Sequence, residues 1–208
     1  MLFLLACASP SNATDTPAAR PEAPAVLPAA EANEAVAVFA GGCFWCMESD
    51  FDSLTGVIHT TSGYAGGTLP NPTYDDVTSE TSGHQEAVHV VYDTRVLTYD
   101  QLLDFYWRHT DPTDGGGQFC DRGDSYRPAI FPVDAQQKAA AEASKAKLGA
   151  SGVLDKPIAT QIESLDRFWP AENYHQDFHH TNAGHYMAYR MGCGRDRSVR
   201  AVWAKAAR

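Results

Sequence analysis

Ala35-Val-Ala-Val-Phe-Ala-Gly-Gly-Cys-Phe-Trp-Cys46 joins a short apolar run, two glycines and a pair of cysteines. The run 35–40, closed by Gly41-Gly42, reads as a buried strand. No helix breaker follows until Gly56, so residues 43–52 read as a helix with Cys43 in its first turn. A cysteine there faces unpaired backbone N–H groups and the positive end of the helix dipole, which favour thiolate and lower its pKa. Cys43 is therefore the candidate nucleophile. Cys46, three residues on, shares its helical face, where the two sulfurs can close a disulfide. The structural alternatives are an inert pair in an aromatic-rich core or half of a zinc site, although no second cysteine pair stands at metal spacing. A thioredoxin-like oxidoreductase is the main rival, but Trp45 lies between the cysteines rather than before the first.

Outward from this junction, residues 57–61 and 87–92 read as strands, the latter by alternation. Thr98 or Asp100 can cap a helix carrying Leu102, Leu103, Phe105, Tyr106 and Trp107, ended by Asp111-Pro112. Gly115-Gly116-Gly117 opens a loop through Tyr126. Residues 128–131 read as a strand, 134–148 as an Ala- and Lys-rich helix and 158–163 as a strand. Residues 172–189 are aromatic and His-rich, and Gly192-Cys193-Gly194 begins a basic, flexible tail. Elements alternate irregularly between long loops, which favours a site built from loops.

The chain has 208 residues and a formal charge of −10, and it carries no basic cluster, so a phosphate backbone is a poor partner. No apolar run reaches the ~20 residues that span a bilayer. Met1-Leu-Phe-Leu-Leu-Ala-Cys7 reads as a targeting segment, and Leu4-Leu5-Ala6-Cys7 resembles a bacterial lipobox whose cysteine becomes lipidated. Residues 8–34 are rich in Ala, Pro, Ser, Thr and acidic side chains, and cannot bury enough apolar area to offset ordering entropy. They read as a tether, so that residues 1–34 are signal and linker and 35–208 the folded domain. The place implied is the bacterial cell envelope, periplasmic or membrane-anchored, or the cytoplasm if the N-terminus is not a signal.

Gly42-Cys-Phe-Trp45, Gly63-Tyr-Ala-Gly-Gly67, Asn71-Pro-Thr-Tyr74, Gly83-His-Gln-Glu86, Asp111-Pro-Thr113, Asp121-Arg-Gly123, Tyr126-Arg127 and Ala171-Glu-Asn-Tyr-His-Gln176 occur in this order. In them the chain resembles the peptide methionine sulfoxide reductases of the A type over residues 36–197. The resemblance implies an α+β fold, a two-layer sandwich of ferredoxin-like character with long active-site loops. It also implies thiol-dependent reduction of the S epimer of methionine sulfoxide, free or in oxidised proteins, with no metal or organic cofactor. A monomer recycled by thioredoxin or a thioredoxin-like protein is the expected form.

The residues agree with that chemistry. A sulfoxide sulfur is a poor electrophile until its oxygen is protonated, so the site needs a thiolate, an acid and donors aimed at the oxygen. Cys43 supplies the first. Glu86, in the turn before a strand, is the acid if burial raises its pKa. Tyr74 and Tyr126 can donate to the oxygen and to Glu86, while Asp121 holds Tyr126 or a water. Phe44 and Trp45 form an apolar wall for the S-methyl group. Attack leaves a Cys43 sulfenic acid, which a second thiol must resolve. The commonest family pattern has Gly where Cys46 stands, and this chain resembles the branch reading Gly-Cys-Phe-Trp-Cys with Gln118-Phe-Cys-Asp121. Cys46 is the nearest resolver. Cys193 is the alternative or a relay to the reductant, and Cys120 is a resolver or a pocket-wall residue. His175 and His179, spaced i, i+4, invite a metal, but His175 belongs to the shared motif and a solvated aromatic helix is the simpler account.

Overall fold

The computed structural model describes residues 31–206. Cys7, the lipobox-like run and most of the tether fall in 1–30, outside the described residues. The first strand, β1 (Glu34–Ala40), begins beside the expected onset of the domain and leads through Gly41-Gly42 into α1 (Phe44–Asp52). Next come β2 (Val57–Ala65), α2 (Tyr74–Thr78), β3 (Gln85–Asp93) and α3 (Tyr99–Arg108). Thr98 caps α3, and its hydroxyl and the Gln101 side chain bond each other's backbone N–H, so the helix starts where this pair places it.

A short hairpin of β4 (Gly117–Gln118) and β5 (Asp121–Arg122) follows, with Phe119 and Cys120 at its tip. Then come β6 (Ala129–Phe131), α4 (Ala135–Ala150) capped by the Asp134 carboxylate, β7 (Gln161–Ile162) and β8 (Trp169–Pro170). The strand expected over 158–163 shrinks to two residues. The chain ends in α5 (Phe178–Thr181), α6 (Ala183–Cys193) and α7 (Arg195–Val202). Where the sequence suggests a flexible tail, the structure has α7, anchored by a fully buried Arg195.

The main sheet runs β7-β6-β1-β3-β2-β8 and is antiparallel except for the β6–β7 pair. Its centre, β6-β1-β3-β2 connected β1-α1-β2-β3-α3-β6, is the split βαβ order of ferredoxin-like folds, as the resemblance implies. The alternation of β1 explains the two sides. Ala37 and Phe39 join a core with Phe51 of α1, Leu102 and Tyr106 of α3 and Ala141 of α4. Val38 and Ala40 face the other way, onto Phe131 and Phe168, where loops rather than helices cover the sheet. Phe39 stacks between Phe51 and Tyr106, at 5.2 and 5.1 Å, and its truncation to Ala costs about 3–5 kcal/mol. Among the described residues, no helix is long and apolar enough to cross a membrane.

Candidate active site

Gly42 adopts φ 80°, and a Cβ there would lie 2.6 Å from the Gln118 Cβ, so the turn out of β1 needs glycine. Arg195 pins the same turn from below through the Gly41 carbonyl at 3.1 Å. Cys43 is the N-cap of α1 rather than a first-turn residue, and its carbonyl accepts from the N–H of Cys46 and of Met47. Both Cys43 and Cys46 are free thiols and buried, 6% and 1% exposed.

Burial reverses one expectation. It pushes the Cys43 thiol well up from its ordinary value, with the neighbouring Cys46 and the Glu86 carboxyl adding to the rise. The helix N-terminus is outweighed because a thiolate there would be desolvated. Cys46 moves the other way, drawn down first by its hydrogen bond with the Cys43 thiol and then by Arg195 and Arg190.

Glu86 is the second residue of β3, opposite Tyr64 of β2, rather than a turn residue. Its Oε2 accepts from the Phe44 N–H at 2.8 Å, and burial pushes its carboxyl up to about 8. It therefore holds a proton at neutral pH. Tyr74 opens α2, is hydrogen-bonded to the Tyr126 phenol, and is pushed up to about 12 by burial. Burial likewise raises Tyr126, so both phenols remain donors.

Asp121 does not hold Tyr126. Its Oδ2 accepts from the Tyr189 hydroxyl at 2.6 Å, and that hydroxyl also contacts the Cys43 thiol. Tyr189, on α6, is a site residue that sequence reasoning missed; its only signal is its place one helical turn before Cys193. Glu172 was also missed in role, although its motif was recognised. Its carboxylate accepts from the Tyr74 N–H and the Tyr64 hydroxyl, which fixes where α2 begins.

A cavity of about 60 Å³ is lined by Phe44 and Trp45 together with Cys43, Glu86, Asp121 and the three tyrosines 74, 126 and 189. That is room for roughly four or five water-sized groups, the scale of a methylsulfinyl end. Trp45 is held by stacking on Phe178 at 3.8 Å and by its Nε1, which donates to His175 Nδ1 at 3.1 Å. A larger groove of about 580 Å³ between α3, α4 and Trp203 contains no cysteine.

Cys120 is not part of the wall. It forms a disulfide with Cys193 across 73 residues, joining the tip of the β4–β5 hairpin to the end of α6. With the disulfide closed, Cys193 sits at the ordered C-terminal end of α6. His175 and His179 do not share a helix face, because Asp177 at φ 50° separates the turn 173–175 from α5. His175 packs on Phe44 and Tyr74, and His179 faces Asp52 at 3.4 Å. Cys120, Asp121 and Cys193 bring atoms of metal-ligand type within 4.8 Å of one another, but both sulfurs are committed to the disulfide.

A buried thiol pair, a protonated carboxyl and phenol donors around a cavity this small, on a ferredoxin-like sheet, define a thiol-dependent reductase of a small oxidised group. The comparisons narrow the class. Residues 35–207 match the family model described as "Peptide methionine sulfoxide reductase". The chain is 50% identical over 170 residues to peptide methionine sulfoxide reductase MsrA of Bacillus licheniformis, covering 82% of this chain and 94% of that protein. It is 53% identical over 167 residues to MsrA of Ligilactobacillus salivarius, covering 80% and 96%. Among solved structures, methionine sulfoxide reductase A of Corynebacterium diphtheriae gives a TM-score of 0.66 at 33% identity, over 74% of this chain and 77% of that one. Reduced Mxr1 of Saccharomyces cerevisiae gives 0.68 at 28%, over 73% and 87%. Mxr1 in complex with Trx2 shares the fold at 0.52 and 22%, over 70% and 86%. The chain belongs to the peptide methionine sulfoxide reductase family.

Proposed function

We propose that Cys43 is the nucleophile and Glu86 the acid in the reduction of methionine (S)-S-oxide. The single observation that carries this reading is the buried carboxyl of Glu86, held by the Phe44 N–H at 2.8 Å in the same small cavity as the Cys43 thiol, where burial pushes its pKa up to about 8. The sulfoxide oxygen takes the Glu86 proton and hydrogen bonds from Tyr74 and Tyr126, and its sulfur becomes electrophilic. Cys43 gives its proton up as it attacks. A Cys43–sulfur bond forms as the S–O bond breaks and the oxygen leaves as water. Water then attacks the Cys43 sulfur, the sulfur–sulfur bond breaks, the released proton returns to Glu86, and the products are methionine and a Cys43 sulfenic acid. Phe44 and Trp45 receive the methyl group, which only shape can recognise.

Cys46 then attacks the sulfenic sulfur, releasing water and joining Cys43 to Cys46. Its hydrogen bond with the Cys43 thiol and the two arginines beside it support its role as the resolving thiolate. Reduced Cys193 and Cys120 take over that disulfide by exchange, leaving Cys43 and Cys46 as thiols and the outer pair oxidised, the redox state described above. A thioredoxin-type dithiol closes the cycle on the outer pair through its exposed member Cys120, acting on a monomer. The envelope and lipid-anchor reading is supported by the apolar run 1–7 with its Leu4-Leu5-Ala6-Cys7 and by the tether-like composition of 8–34, and the mass of the mature N-terminus tests it.

The decisive assay incubates the protein with racemic methyl sulfoxide and dithiothreitol. Loss of the S epimer alone, abolished in Cys43→Ser, supports the reading; turnover of neither epimer, or full activity in the variant, overturns it.

A further inference from the structure

The Cys120–Cys193 disulfide is flanked on both sulfurs by one carboxylate. Asp121 Oδ1 lies 3.6 Å from Cys120 Sγ, and Oδ2 lies 3.9 Å from Cys193 Sγ. The two-residue tip of the β4–β5 hairpin makes this possible, because it places Cys120 directly before Asp121 while α6 delivers Cys193 from the other side. The pair is also asymmetric. Cys120 is exposed and Cys193 half-buried, and the Cys120 N–H donates to Cys193 Sγ at 3.2 Å.

We propose that Asp121 is the acid–base residue of a second catalytic centre, the surface disulfide Cys120–Cys193, whose substrate is a protein dithiol. The inference rests on the reading of this pair as the recycling disulfide. A thiolate of the reductant attacks the exposed Cys120 sulfur, so a new S–S bond forms and the Cys120–Cys193 bond breaks. Cys193 leaves as a thiolate held by the Cys120 N–H, and takes the proton of the Asp121 carboxyl. The emptied Asp121 then accepts the proton of the reductant's second thiol as that sulfur attacks its own partner in the mixed disulfide. Cys120 departs as a thiolate and is protonated by solvent, balancing the proton lost when the reductant first ionised. The reductant ends as a disulfide, the outer pair as a dithiol, and Asp121 again holds its proton.

Such a role needs a carboxyl that keeps a proton more readily than an exposed aspartate, and burial raises Asp121 from its ordinary value. The groups facing it are Tyr189 from α6, Arg195 from α7, Glu86 from β3 and Tyr126 from the turn after β5. Tyr189 and Arg195 oppose the rise, and Tyr189 also links Asp121 to the Cys43 thiol, so one carboxylate borders both sulfur centres.

The test needs no sulfoxide. The oxidised full chain is mixed with reduced thioredoxin, and loss of the Cys120–Cys193 bond is followed by rapid alkylation and mass spectrometry across pH. Asp121→Asn keeps an acceptor for Tyr189 and removes the proton. It is expected to slow reduction about 100-fold or more, the scale of lost acid–base catalysis, and to abolish the pH dependence left after correction for thioredoxin ionisation. Asp121→Glu is expected to restore that dependence, which a purely structural role would not. An Asn variant reduced at the wild-type rate overturns the inference while leaving the pair's role standing. Undiminished thioredoxin-driven turnover in a Cys120→Ser/Cys193→Ser protein overturns the role of the pair itself.

Discussion

The Tyr189 hydroxyl donates to Asp121 Oδ2 at 2.6 Å and reaches the Cys43 thiol from the same oxygen, so the last turns of α6 are tied to the β4–β5 hairpin across the mouth of the cavity. Tyr189→Phe removes that link and leaves a half-buried carboxyl short of a partner. A hydrogen bond to such a group is worth about 1.5–3 kcal/mol, so kcat/KM for methyl sulfoxide is expected to fall roughly 10- to 100-fold. Steady-state kinetics with dithiothreitol checks this, and an unchanged rate would remove Tyr189 from the site.

As the proposed acid, Glu86 should carry the pH dependence of the chemical step. Its acid form donates, so turnover should decline as pH rises through about 8. Glu86→Gln should lose about 100- to 10,000-fold in rate, and its residual activity should lack that alkaline limb.

The same carboxyl makes stability fall with pH. Folded Glu86 keeps a proton up to about 8, whereas unfolded Glu86 releases it at its ordinary 4.5. Between those values the native state binds the extra proton, so rising pH costs up to ~1.4 kcal/mol per unit, levelling off above the folded pKa. Glu48, buried and pushed up to about 7, acts in the same direction in both proteins. Urea unfolding of Glu86→Gln minus wild type should therefore show a stability advantage that grows from pH 5 to pH 8. A constant difference would mean that Glu86 is ionised in the fold.

Cys46→Ser separates resolution from attack. One methionine per enzyme should still form rapidly, since Cys43 is intact, while thioredoxin-driven cycling is lost. Undiminished cycling would make Cys193 the direct resolver of the sulfenic acid.

The outer disulfide also has a mechanical role, because it closes a loop of 73 residues. Chain-entropy arguments put its contribution at about 4 kcal/mol against unfolding. Denaturant melts of Cys120→Ser/Cys193→Ser should show a loss of that order relative to the oxidised wild type.

Much of this was legible in the sequence wherever the signal is local. The strand at 35–40, the Thr98 cap and the Cys43–Trp45 junction all depend on neighbours a few residues away. The Cys120–Cys193 pairing depends on a hairpin tip and a helix end meeting in space, and neither segment announces the other. Tyr189 was hidden for the same reason, since a tyrosine in an aromatic helix reads as packing. Burial could not be judged from residues 43–52 alone, and burial is what turned the expected fall in the Cys43 pKa into a rise. Asp177 in a left-handed conformation similarly broke the single helical face that the i, i+4 spacing of His175 and His179 suggested.

The substrate of a methionine sulfoxide reductase is itself a product of oxidation, and oxidants of methionine also oxidise thiols. Here the two inner sulfurs are 6% and 1% exposed, and the cavity that reaches them is small, whereas Cys120 stands in solvent. With Cys193 beside it, a sulfenic acid formed on exposed Cys120 can condense to a disulfide, which a dithiol reductant reopens. The arrangement has the layout of a resettable fuse: the sulfur facing solvent has a partner with which its oxidation can be reversed, and the proposed nucleophile lies behind it.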